Sequence, residues 1–203
     1  MTKKLILTIV LLFLFRISYS QNFKKIFWDI DCKDKLFLMA KPCSSLKVKK
    51  VAKQVSVLSN KLIKEKYLDA DGAGGEVDAF RHIFLMYKLS SEIGINKARR
   101  IGNIYESYNE RIFYQKPYSG YDEVGEEMDK FNNEVGIYLF LKLGIVDDKT
   151  LMKEIEKEIK KGTARKIKKD KEKRSISIDN KIIEDSIWKK SWKNERVLIQ
   201  SNR

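Results

Sequence analysis

With 203 residues, 42 Lys and Arg against 28 Asp and Glu and a formal charge of +14, the chain has the length of one domain with a single core. It contains no internal repeat and no Gly-rich phosphate loop, which excludes solenoids and nucleotide enzymes built on such a loop.

The first segment, MTKKLILTIVLLFLFRISYS, has a basic start at Lys3 and Lys4, an apolar run from Leu5 to Phe15 and a small-residue end at Ser18-Tyr19-Ser20. That is the layout of a secretory signal peptide cleaved before Gln21, and it implies an exported protein, periplasmic or extracellular. A membrane anchor is the rival reading, but the run is shorter than the ~20 apolar residues of a spanning helix. No stable membrane span is expected after cleavage. Cleavage removes Lys3, Lys4 and Arg16 and no acid, taking the formal charge of +14 down by three to +11. The two cysteines, Cys32 and Cys43, lie in CKDKLFLMAKPC. An oxidising compartment would let them close a short loop as a disulfide; the alternative is two free thiols.

From there the periodicity predicts a single compact all-α domain, residues 21–203, of about five to six helices. Ser44 or Ser45 caps a helix carrying Leu46, Val51, Val55, Leu58 and Leu62 to about Tyr67, and DADGAGG breaks it. A second helix runs from about Glu76 to Ile93 and ends at Gly94; Asn96 caps a third through KARRIGNIYESYNERIF. After the loop YQKPYSGYDEVG, a fourth helix runs from about Glu126 to Leu143. Asp147 or Asp148 then opens a fifth with Leu151, Ile155 and Ile159 on one stripe. RSISID can form a short strand, and KIIEDSIWKKSWKNERVLI is expected to be a last helix carrying Ile183, Ile187 and Trp188, with a tail that docks back.

Polar residues are placed on the inner faces of three of these helices. Turning the second helix through about 100° per residue puts Asp78 and His82, the single histidine of the chain, in the strip of Leu85 and Leu89, with Arg81 and Lys88 on the wet side. In the fourth helix Asp129, Asn132, Asn133 and Gly136 share a face with Leu139, Phe140 and Leu143. In the third, Tyr105 and Asn109 fall on the inner side and Glu106 at its margin. Unpaired buried polar atoms cost on the order of 1–3 kcal/mol each, so these groups need one another or an ion.

Three blocks, DAFRH at 78–82, an acid at Glu106 and MDKFNNEVG at 128–136, resemble the signature of a bacterial domain-of-unknown-function family found in secreted and toxin-like proteins: D-A-F-R-H, then H-E, then M-D-x-x-N-N-x-x-G. The resemblance spans roughly residues 70 to 140 and implies a shared site rather than a known reaction. One departure matters, because the family's second-block histidine is Tyr105 here.

Asp78, His82, Glu106 and Asp129 are donors of the kind that hold a divalent metal ion. With Asp78, His82 and Glu106 as acid/base groups, and Arg81, Tyr105, Asn132 and Asn133 around them to orient ligands or bind substrate, the reading is a metal-dependent hydrolase-like protein. The alternative is a non-catalytic envelope protein in which the cluster is a structural network. KKGTARKIKKDKEKR, residues 160–174, offers salt-sensitive binding to an anionic envelope polymer, or is a solvated charge run. Without interleaved aromatic residues it does not support a nucleic-acid groove.

Overall fold

The computed structural model describes residues 32–40, 42–116 and 118–203; the segment expected to be a signal peptide lies outside them. Among the described residues seven helices follow one another, α1 (Cys32–Ala40), α2 (Pro42–Lys64), α3 (Glu76–Ile93), α4 (Ile95–Gln115), α5 (Glu123–Leu143), α6 (Asp148–Lys161) and the single turn α7 (Asp185–Trp188). Strands β1 (Arg165–Ile167) and β2 (Leu198–Gln200) pair antiparallel, with Lys166 opposite Ile199. The architecture is thus all-α with one small ribbon. No described helix is long and apolar enough to cross a membrane.

Helix α3 is the axis. It packs most extensively on α5, then on α2, α4 and α6, and Phe80, Ile83, Phe84, Met86, Tyr87 and Leu89 are fully buried along it. Only Arg81, Leu85, Lys88, Ser91 and Glu92 keep some exposure on this helix beyond its first residue. The close α3–α5 crossing depends on Gly136, where an added Cβ would lie 2.4 Å from the Ile83 carbonyl oxygen and 3.0 Å from Met86 Cβ. A backbone atom cannot rotate away, so Gly136→Ala is expected to destabilise the fold by ~1–3 kcal/mol or more through overpacking. Denaturant unfolding measures this, and an unchanged midpoint would contradict so tight a crossing.

The amphipathic helix α6 buries the stripe Leu151, Ile155 and Ile159, and Asp147 caps it by accepting from the Lys149 and Thr150 N–H groups. The entry to α3 has no side-chain cap at Gly75. Asp69 reaches across instead, its Oδ2 accepting from Glu76 N at 2.7 Å, while Asp78 Oδ2 accepts from Gly74 N at 2.6 Å. Carboxylates gathered at a helix N-terminus are favoured by its dipole.

The C-terminal region corrects the expected last helix. Only Asp185–Trp188 is helical, because the following residues are drawn out by contacts elsewhere. The Trp192 carbonyl accepts from Glu123 N at 2.9 Å, Trp192 rests on Phe113 with ring centroids 5.4 Å apart, and Leu198–Gln200 completes the ribbon with β1. RSISID makes isolated bridges at Ser175 and Ile176 rather than a strand. The basic segment folds inward: Lys166 pairs with Glu76 at 2.7 Å, Lys169 with Asp71 at 2.6 Å, and Lys173 donates to the Ala70 carbonyl at 2.9 Å. It straps the loop that precedes α3.

The expected Cys32–Cys43 bridge is also corrected, since Cys43 is an exposed free thiol. Helix α1 opens at Cys32, so the residues from Cys32 to Ala40 are helical rather than a short loop. The Cys32 side chain lies outside what is described.

Candidate functional site

Asp78 and His82 are one turn apart on α3, and Asp129 and Asn133 one turn apart on α5, so the α3–α5 contact closes one four-residue cluster. His82 is 3% exposed. Its Nδ1 lies 3.1 Å from Asn133 Oδ1, an acceptor, so the ring proton sits on Nδ1 and the Nε2 lone pair faces the other way. There Nε2 lies 3.2 Å from Asp129 Oδ1 and 3.6 Å from Asp78 Oδ1. Asp78, His82 and Asp129 each offer one ligand atom, and these atoms lie within 4.8 Å of one another.

Each of the two carboxylates has one oxygen without a hydrogen-bond donor. Asp129 Oδ1 is buried without a hydrogen-bond partner, and so is Asp78 Oδ1; Arg81 Nη2 stands against Asp78 Oδ1 as an ion pair but off any hydrogen-bond direction. The same Nη2 lies 3.2 Å from His82 Nε2. Nε2 thus accepts from the Arg81 guanidinium, whereas Asp129 Oδ1, 3.2 Å from the same nitrogen, has no donor. Burial, with Arg81 alongside, pushes His82 down to about 4 against the opposing pull of Asp78 and its bond to Asn133, so the imidazole is neutral at pH 7, the form that ligates a metal. Burial first, then the nearby Asp78 and Glu106, hold the Asp129 carboxyl well above the usual range. Burial lowers the Arg81 affinity for its proton, but Asp78 and Asp129 outweigh it and raise the net value.

A pocket of about 570 Å³ opens onto this cluster, with Asp78, Glu106, Asn109 and Asp129 among its lining residues. Glu106 stands apart from the three-donor group, on α4. The wheel reading of α4 is reversed in one respect: Glu106 is 1% exposed and Tyr105 is 40% exposed, at the pocket rim. Beside the buried Ala98, Ile104, Tyr108 and Ile112, the helix also buries Gly102, Glu106, Asn109 and Phe113, a line whose two polar residues apolar periodicity does not weight. Asn109 Nδ2 donates to Glu106 Oε2 at 3.2 Å. Burial is the main force pushing the Glu106 carboxyl up to about 8, opposed by Asn109.

Asn132 is a scaffold residue. Fully buried, it pins β1 through a pair of 2.9 Å hydrogen bonds, Nδ2 to the Arg165 carbonyl and Oδ1 from the Arg165 N–H. Arg81 borders the pocket directly. The outer wall comes from residues the sequence reading did not assign to the site, chiefly Tyr121, Trp188, Trp192 and the buried pair Asp122–Arg196 at 2.8 Å. The available signal was Asp122 ahead of Glu123-Val124-Gly125, a helix cap; it accepts from Gly125 N at 2.8 Å.

Comparison with curated proteins and with solved structures gives no match. The model of a domain of unknown function matches residues 35–163, a span that contains Asp78, His82, Glu106 and Asp129 and stops before the C-terminal wall of the pocket. The chain belongs to this family, DUF6973.

Proposed function

We propose that the protein is an exported, metal-dependent hydrolase-like domain in which Asp78, His82 and Asp129 hold one divalent ion. The observation that carries this is the convergence of a neutral imidazole nitrogen and two carboxylate oxygens lacking hydrogen-bond donors, within 4.8 Å of one another, where a 570 Å³ pocket meets the core. The donor set suits a cation: three protein ligands leave coordination positions open, and mixed oxygen and imidazole donors fit zinc or manganese. Such an ion polarises a scissile carbonyl or phosphoryl group and lowers the pKa of water.

The protein's own residues would do the rest. Asn133 holds the His82 tautomer that points Nε2 toward the carboxylates. Asp78, tethered by the Gly74 N–H, is fixed in position. Arg81 carries positive charge to the pocket rim, its guanidinium beside Asp78 Oδ1 and His82 Nε2, where it would balance the charge of a bound anion.

The same placement of Arg81 favours a second reading, a non-catalytic envelope protein whose Asp78–Arg81–His82 network is structural and whose residues 160–174 meet an anionic polymer. Elemental analysis of protein purified without chelator separates the two. The hydrolase reading expects about one zinc or manganese per chain, lost in His82→Ala. Absence of metal after loading with either ion would overturn it.

A further inference from the structure

Two of the pocket's buried oxygen atoms belong to neither the ion-pair network nor the three-donor group. Glu106 Oε1 and Asn109 Oδ1 have no hydrogen-bond partner, although Glu106 is 1% and Asn109 4% exposed and both line the pocket. They lie one turn apart on α4, tied by the Asn109 Nδ2 bond to Glu106 Oε2. That bond orients the pair, leaving one carboxyl oxygen and one amide oxygen buried without a donor.

The charges around the pocket sharpen the point. Of the carboxylates that line it, all but Glu106 and Asp129 sit within ion-pair distance of a lysine or arginine. The lining lysines and arginines are themselves engaged, four with those acids and Lys173 with the Ala70 carbonyl. Asp129 has His82 beside it. Glu106 is left as the one lining carboxyl, among the described residues, that faces neither a basic side chain nor the imidazole within ion-pair distance.

We propose that Glu106 and Asn109 form a subsite for a primary ammonium group, carried by a ligand whose body occupies the pocket. An ammonium brings N–H donors for both open oxygens and a charge for the carboxylate. A hydroxyl would bring a donor but no countercharge to favour the ionised form of Glu106, which burial disfavours. A guanidinium binds best across both oxygens of a carboxylate, and Glu106 Oε2 is already taken. A divalent ion would find one charged oxygen and one neutral one, too few for a dedicated site. Tyr105 and Tyr121, which line the same pocket, add aromatic surface of the kind cations favour. This names a feature of the substrate for the hydrolytic reading and rests on that reading only for what happens next to the ammonium.

The test uses the full chain with chelator present, so that metal binding plays no part. Amide spectra recorded during titration with n-propylammonium should show saturable shifts centred on the Asn109 side-chain amide. n-Propanol, of similar size and uncharged, should produce none. Glu106→Gln should weaken the ammonium at least tenfold and Asn109→Leu severalfold, whereas Glu154→Gln, at a carboxylate outside the pocket that pairs with Lys157, should leave it within twofold. Equal saturation by n-propanol would make this a hydroxyl subsite and overturn the proposal. So would propylammonium binding that survives Glu106→Gln, absence of saturable binding in the wild-type chain, or, with chelator omitted, a manganese site lost in Glu106→Gln and retained in Asp129→Asn. Failure of metal loading at Asp78, His82 and Asp129 would sink the hydrolytic reading alone.

Discussion

Asp122→Ala is expected to lower the melting temperature by about 10 °C or more, from a loss of ~3–5 kcal/mol for a broken buried ion pair and ~1 kcal/mol for a helix cap, at ~2–4 °C per kcal/mol in a domain of this size. The Asp122 side chain is 1% exposed and that of Arg196 5%. One carboxylate oxygen accepts from Arg196 Nη1 and Asn194 Nδ2, each at 2.8 Å, and the other caps α5 through Gly125 N. Arg196 is in turn stacked over Trp188 at 3.9 Å, so removing the carboxylate strands a guanidinium in a site that already leaves its Nε without an acceptor. Burial pulls the Arg196 pKa down and Asp122 opposes this. The segment from Trp188 to Arg196 should loosen with the pair, and limited proteolysis there should accelerate in step with the thermal shift. Adding Arg196→Leu should recover part of the loss, because an apolar side chain over Trp188 leaves no bare charge. A single variant that melts within about 3 °C of the wild type, less than the smallest shift expected from ~3 kcal/mol, would show that this pair does not hold the C-terminal wall.

That wall was the part of the fold least visible in the sequence. Helix α3 was legible to the residue, Glu76 to Ile93, because a glycine-rich break precedes it and Gly94 follows it. The stripe Leu151, Ile155, Ile159 was equally plain, and the cap was narrowed to Asp147 or Asp148, of which the structure uses Asp147. These signals are local. The residues after Trp188 carry a helix-compatible pattern, and what defeats it is tertiary: Asp122 attracts Arg196 and Asn194, α5 offers an N–H to Trp192, and the edge of β1 takes up Leu198–Gln200. The site shows the same division. Asp78, His82, Asp129 and Asn133 converge because each helix places its pair one turn apart on the face toward the other. Glu106 and Tyr105 exchange places because α4 turns a polar stripe inward, and Asn132, beside Asn133 in the same motif, points to β1 instead. Adjacent positions on a helix differ by about 100°, which is enough to separate a site residue from a strut.

Glu106→Gln and Asp129→Asn, measured with chelator present, are expected to be at least as stable as the wild type at pH 8, with the gain shrinking as pH falls toward 5. The folded chain keeps a proton on Glu106 up to about 8, whereas the ordinary value is 4.5. Between these values the folded state binds more protons than the unfolded state, so wild-type stability falls as pH rises, by up to ~1.4 kcal/mol per pH unit for one carboxyl. Asp129, raised well above 3.8 by burial and by Asp78 and Glu106, adds a slope of the same sign. His82 acts in the other direction. Lowered from 6.5 to about 4, it costs stability as pH falls through that interval, since the unfolded chain takes up a proton that the folded chain refuses. The slopes oppose below pH 6.5, and the interval from 6.5 to 8 belongs to the carboxyls. A neutral amide at either position removes its slope. In Asp129→Asn it does more, because the introduced amide nitrogen can donate to the His82 Nε2 lone pair that Asp129 Oδ1 now faces at 3.2 Å. Asp78→Asn should behave differently. It removes the partner of Arg81, whose side chain is partly exposed, so a loss of ~1–3 kcal/mol is expected at both pH values. Thermal unfolding of the three variants at pH 5 and pH 8 decides the matter: a comparable loss in Asp129→Asn at pH 8 would mean that Asp129 is an ionised strut of the network, whereas a neutral or stabilising effect leaves its orphaned oxygen as a group held in readiness for a cation.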